Sequence, residues 1–181
     1  MKTIRLSTLL LFLVASFLVS CENDIDEVNT VTAGSNYPVE SGKDMEVIYS
    51  DSGYIKVKLN APVMMRYIGE NPYMEMPQGV KVLFYNDSMK VNSELSANYA
   101  ISREKEEIME AKNNVIVVNE KGEQLNTEHL IWDKKQSQIY TKEFVKITTA
   151  EEIIYGNGLE SNQSFTKYKI KDIKGTINLK E

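Results

Sequence analysis

Apolar and polar residues alternate with a period of two over short runs from residue 47 to the end of the chain. "VKVLFY" places Val82 and Phe84 on one face, and residues 91–101 alternate most regularly. Such alternation is typical of strands that are buried on one side. Turn sequences such as "YNDS", "NEKGE" and "YGNG" separate the runs. The pattern therefore predicts an all-β domain over residues 47–181.

Two segments of this domain resemble each other without a gap. Residues 95–118 align with residues 125–148, which indicates a repeat of about 30 residues. We interpret each unit as a bent hairpin, and the charged segment 103–112 as strand–turn–strand because it lacks a helix cap. One bent hairpin cannot bury its apolar face alone, so stacked copies predict an open β-jellyroll with free edges and an apolar trough between its walls. A trough filled by ordinary core packing is the alternative.

The first 46 residues do not follow this pattern. "LSTLLLFLVASFLVS" is apolar but shorter than the roughly 20 residues that span a bilayer, and it follows a short basic start, as in secretory signal peptides. Cys21 follows this stretch directly, and "LVSC" resembles the lipobox of bacterial lipoproteins. We therefore predict a signal peptide at 1–20 and an acylated Cys21, the alternative being a cleaved signal with an incidental cysteine. Residues 21–46 are acidic and broken by glycine and proline, which predicts a flexible tether.

Composition and charge exclude several kinds of chemistry. The chain has one cysteine and one histidine, His129, so an internal disulfide and a clustered His/Cys zinc site are not predicted. Its net charge of −5 disfavours nucleic acid as a partner. The S-x-x-K matches at 102–105 and 164–167 lack the partner motif of penicillin-recognising enzymes. We predict no enzymatic activity, no metal and no cofactor.

Several segments resemble the LptC family, the periplasmic components of the lipopolysaccharide export bridge. They are "YSDSGYIKVKLNAPVMMRY", "PYMEMPQGVKVLFYND", "EAKNNVIVVNEKGEQLNTEHLIWD" and "ESNQSFTKYKIKDIKGTI", and together they cover about residues 47–178. The resemblance implies an OstA-like open β-jellyroll that accepts lipopolysaccharide from an inner-membrane ABC transporter. The membrane subunits of that transporter would dock at the N-terminal edge, and the next periplasmic jellyroll at the C-terminal edge.

This chain departs from the better-known members of the family in its anchor. Those members use an N-terminal transmembrane helix, whereas here acyl chains on Cys21 would hold the domain on the periplasmic side of a membrane. The resemblance implies the inner membrane, and the residues after Cys21 leave the outer membrane open. The chain is therefore expected to be a lipoprotein-anchored variant.

The resemblance and the alternation together indicate two sets of candidate site residues. The predicted lining of a lipid trough, each member of which could instead be ordinary core, is Val57, Leu59, Val82, Phe84, Leu95, Ala97, Tyr99, Ile139, Val145 and Ile147. The predicted docking edge for the next bridge protein is Lys167, Tyr168, Lys169, Ile170 and Lys171, although lysines on an edge also prevent unwanted pairing. The alternative function is an outer-membrane glycan-binding or structural β-sandwich lipoprotein.

Overall fold

The computed structural model of the protein describes residues 37–179, which form β-strands and connecting turns. Within this range there is no helix, and so none that could cross a membrane. The predicted signal peptide, Cys21 and most of the predicted tether lie outside the described residues. The strands are β1 (Glu40–Asp51), β2 (Tyr54–Tyr67), β3 (Tyr73–Met76), β4 (Val80–Tyr85), β5 (Val91–Ala97), β6 (Tyr99–Arg103), β7 (Ile108–Asn119), β8 (Gln124–Asp133), β9 (Gln138–Thr148), β10 (Glu152–Asn162) and β11 (Tyr168–Asn178).

All eleven strands belong to one antiparallel sheet, which is open at both ends. The order is β11-β10-β9-β8-β7-β5-β4-β2-β3-β6; β1 pairs with β2 and β6 also pairs with β7. Within the described residues β1 pairs only with β2 and β11 only with β10, so each leaves one side of its backbone free. This arrangement confirms the predicted all-β, jellyroll-like fold with free edges.

The long strands pass from one wall of the jellyroll to the other. The first half of β2 pairs with β4, and its end pairs with β3. Likewise β7 pairs with β6 through its first half and with β5 through its second half. The two walls are therefore the β4–β5 wall and the β3–β6 wall, each continued by one half of every long strand.

A bend in each long strand separates the walls. In β7 the buried Ala111 is followed by Asn113 and Asn114, which adopt left-handed φ angles of 63° and 54°, and then by the buried Val115. Asparagine tolerates this conformation better than most residues do. The strand β7 continues through this polar pair, because the bend is made inside it.

The bends of neighbouring strands lie side by side. The backbone N–H of Asn98, between β5 and β6, donates to the carbonyl of Asn113 at 3.0 Å. The hydroxyl of Thr127 in β8 donates to the carbonyl of Phe144 in β9 at 2.9 Å. These bonds satisfy polar groups that the bends remove from the regular ladder. The sheet therefore folds along one seam and brings the two halves of its apolar face together.

Strand β1 corrects the predicted boundary of the domain. It begins at Glu40, inside the range 21–46 that was predicted to be a tether, and its register runs from Glu40 opposite Arg66 to Asp51 opposite Tyr54. Most of its side chains are exposed because it lies at the edge. An edge strand needs no alternating apolar face, and so its polar sequence was interpreted as a linker.

Candidate functional site

A cavity of about 400 Å³ lies between the two walls near the β1 edge. Val47 and Tyr49 of β1 line it and are 40% and 61% exposed, so the cavity reaches the free edge of the sheet. The turns contribute a polar end. The remaining apolar lining comes from β2, β3, β7 and β8, as Val57, Leu59, Met64, Met74, Met76, Met109 and Trp132.

The predicted trough residues lie in several different environments. Val57 and Leu59 line this cavity. Val82, Phe84 and Leu95 surround a void of about 10 Å³, which is barely large enough for one water molecule. The closed core contains Ile139, Val145 and Ile147, which are at most 1% exposed. Ala97 lines a shallow pocket beside the bend of β2.

Tyr99 lies on the outer face of the sheet and does not line the trough. Asn98 is a corner residue between β5 and β6, so the alternation shifts there and Ala100, which is fully buried, takes the inward position. The hydroxyl of Tyr99 donates to Oε1 of Glu75 at 2.9 Å. Burial, supported by this contact, raises the pKa of Tyr99 to about 12. The residue therefore links β6 to β3 from outside.

Methionines dominate the part of the cavity that the sequence prediction missed. Their signal was present in "PYMEM", where Met74 and Met76 alternate with Glu75, but this strand is too short for a clear period of two. Methionine side chains are flexible and polarisable, so they adapt to ligands of irregular shape. This lining suits hydrocarbon chains better than a rigid polar ligand.

Lys134 stands at the polar end of the cavity. Its Nζ donates to the hydroxyl of the buried Ser102 at 3.1 Å and lies 5.7 Å from the centre of the Trp132 ring. No carboxylate in residues 37–179 forms an ion pair with it, although Glu107 lines the same cavity. The residue as a whole is exposed, but burial around the ammonium lowers the pKa of Lys134, against the influence of Glu107 and Glu104.

Backbone hydrogen bonds stack the turns that form this end. Each turn donates to the one before it, so the polar end is a connected rim rather than a set of independent loops. The bonds are Glu104 N–H to the Pro72 carbonyl at 3.3 Å, Lys134 N–H to the Glu107 carbonyl at 3.0 Å, and Gln163 N–H to the Ser137 carbonyl at 3.2 Å.

The predicted docking residues lie on the free edge strand β11 or just before it. Lys167, Lys169 and Lys171 are exposed, while Tyr168 and Ile170 pack against the core. Asn162 N–H donates to the carbonyl of Lys167 at 3.1 Å, which makes this a hydrogen-bonded antiparallel pair.

The alternation of such pairs decides which backbone donors of the edge are free. It directs the N–H of Lys169 toward its partner Glu160 in β10. The next residue, Ile170, lies opposite Leu159 in the pair that follows, so its N–H points away from β10. This group is therefore available to an added strand.

The outer face of the sheet carries a cluster of ions rather than a metal site. Nε2 of His129 lies 2.9 Å from Oε2 of Glu110, which also pairs with Lys112 at 2.8 Å and with Arg103. Within residues 37–179 no group of three or more side chains is placed to hold a metal ion.

Comparison with known proteins gives one assignment. The family model described as "Lipopolysaccharide-assembly, LptC-related" matches residues 8–178, which includes all the strands. Comparison with curated proteins finds no match. The matched region carries the folded sheet, its free edges and the methionine-lined cavity. The chain therefore belongs to the LptC-related family of lipopolysaccharide assembly.

Proposed function

We propose that the protein binds lipopolysaccharide in the trough between its walls and relays it from an inner-membrane ABC transporter to the next periplasmic jellyroll. The observation that carries this proposal is the methionine-lined cavity that reaches the free β1 edge. Burial of hydrocarbon there contributes about 0.8 kcal/mol per methylene. The protein acts as a carrier and not as an enzyme.

The size of the cavity limits how much of the lipid it holds. Its volume of about 400 Å³ lies in the lower part of the usual range for ligand pockets, roughly 300–1,000 Å³. The closed core around β8, β9 and β10 provides no second space of this kind. The lipid therefore places part of its acyl chains between the walls, and onward passage requires the walls to separate toward β11.

The two free edges support the proposed direction of transfer. In this proposal β1 meets the membrane subunits of the transporter, and β11 meets the next jellyroll. Unpaired backbone groups on an edge strand can template another strand. Acyl chains on Cys21 hold the domain on the periplasmic side, at the inner membrane. Membership of the LptC-related family does not favour a glycan-binding or structural sandwich at the outer membrane.

Photo-crosslinking of adjacent positions tests the trough. Leu59 and Met74 face the cavity, whereas their chain neighbours Lys58 and Glu75 lie on the outer face. A photo-reactive residue at Leu59 or Met74 is expected to capture lipopolysaccharide, and one at Lys58 or Glu75 is not. Each pair is a matched control because its two positions share one strand. Equal capture from both faces would contradict the proposal.

A further inference from the structure

The cavity has two chemically different ends, which match the two parts of an amphipathic lipid. The strands provide its apolar end, with methionines as the main lining. The stacked turns provide its polar end, where Glu107, Lys134, Ser137 and Gln163 line the cavity. A lipid oriented along this axis buries its chains among the methionines and keeps its head at the turns.

Lys134 differs from the lysines of the outer face in its surroundings. Lys58 and Lys112, for example, lie 2.6 and 2.8 Å from the carboxylates of Glu46 and Glu110. The ammonium of Lys134 instead contacts a hydroxyl and the face of an indole ring. It retains donors for an anion because an ammonium has three of them and Ser102 accepts one.

The wall beside Lys134 carries a further donor without a partner. Nε1 of Trp132 is buried and makes no hydrogen bond to any of residues 37–179. Buried polar groups are almost always hydrogen-bonded, so an exception needs an explanation. Trp132 lines the cavity, so its indole brings an unpaired N–H donor to the same wall.

We propose that Lys134 holds a phosphate group of the lipid A part of lipopolysaccharide at the turn end of the cavity, while the acyl chains occupy the methionine-lined end. This assignment rests on the proposed function. Lys134 then determines the specificity for a phosphorylated head, because the apolar lining accepts any acyl chain of suitable size. Glu107 at the same rim lowers the affinity for anions, so only a ligand that also buries its chains is retained.

Binding of paired lipids to the full mature chain tests this role. The probes are lipid A with its phosphates, the same lipid after dephosphorylation, and inorganic phosphate. Lys134→Gln is expected to weaken binding of phosphorylated lipid A about tenfold, the effect of one charge-assisted hydrogen bond, and to leave the dephosphorylated lipid unchanged. Lys134→Arg should retain most of the affinity. Lys135→Gln, in the same turn but outside the cavity lining, is the matched control and should change nothing.

The outcomes separate this inference from the proposed function. Equal losses for the two lipids, or no loss at all, would overturn the role of Lys134 while leaving the trough intact. Wild-type protein that binds neither lipid would overturn both proposals. Displacement of lipid by millimolar inorganic phosphate alone would show a site for free phosphate and not for a lipid head.

Discussion

One carboxylate on the outer face of the sheet is held by three cationic or protonatable side chains from neighbouring strands. Burial of Glu110 opposes ionisation, but hydrogen bonds from Lys112, Arg103 and His129 outweigh it and lower the pKa of Glu110 to about 2. The folded state therefore favours the ionised form relative to the unfolded chain. This stabilisation is fully present above the ordinary value of 4.5 and is lost as the pH falls through about 2.

Glu110→Gln is expected to lower the free energy of unfolding at pH 7 by about 1–2 kcal/mol, less than the full pKa shift because the cations reach solvent. The difference from the wild type should shrink as the pH falls below about 4.5, where the wild-type carboxylate begins to gain its proton in the unfolded chain. Urea unfolding at pH 7, 5 and 3 measures this. Glu94→Gln, which removes an exposed pair with Lys81, is the control and should cost under about 0.5 kcal/mol. A difference that is independent of pH would contradict the assignment.

Edge strands and bends are the elements that shape this molecule. The bends convert one sheet into two facing walls, and β1 and β11 leave the ends of those walls open. Side chains and backbone donors of β11 alternate together. Ile170 faces inward and has an N–H that is free for an added strand. Lys169 faces outward, and its N–H is directed toward β10. Lys167 and Lys169 therefore lie on the proposed docking edge without providing free donors to it, because the N–H of Lys167 donates to Oδ1 of Asn162.

Proline substitution distinguishes docking from folding at this edge. Ile170→Pro removes an N–H that points away from β10, and Ile170→Ala loses the same packing but keeps this N–H. We therefore expect the proline variant to bind the next bridge jellyroll more weakly than the alanine variant, with a similar melting temperature. Lys169→Pro removes an N–H of the internal ladder and should lower the melting temperature. Pull-down of the neighbouring protein alongside melting curves measures both effects. Equal pull-down by the Ile170→Pro and Ile170→Ala variants would argue against strand addition at β11.

At the scale of the whole molecule, the proposed transfer would require the sheet to be held beside the transporter. The proposed anchor is the acylated Cys21, followed by a tether that ends before Glu40, where β1 begins. Two or three acyl chains bind a bilayer firmly, whereas one chain binds only marginally. Under this proposal the segment between Cys21 and β1 is shorter than the predicted tether 21–46, and it would hold β1 closer to the membrane.

Cys21→Ala is expected to abolish incorporation of a palmitate analogue and to release the domain from membranes or leave an uncleaved precursor. Metabolic labelling followed by membrane fractionation measures both results. Ser20→Ala, which keeps a small residue before the cysteine, is the control and should retain label and membrane attachment. Label that persists on the Cys21 variant would refute the anchor.

The sequence alone determined the all-β class, several of the strands, the repeated hairpins and the family, because alternation and spacing are local properties of the chain. It placed a turn at "YGNG", which lies inside the continuous strand β10. It also identified β11 as an edge and the inward faces of β4 and β9. It did not reveal the edge strand β1, which has no buried face to impose a pattern.

Only the tertiary structure decided which inward-facing residues line the cavity and which are buried in the closed core. Val57 and Ile147 obey the same alternation, but Val57 faces the cavity and Ile147 lies in closed core, because the facing wall fills one region and not the other. The corner at Asn98 turned Tyr99 outward. Stacking of distant turns placed Lys134 beside Ser102 and Trp132. Such contacts join residues far apart in the chain, and a local pattern holds no information about them.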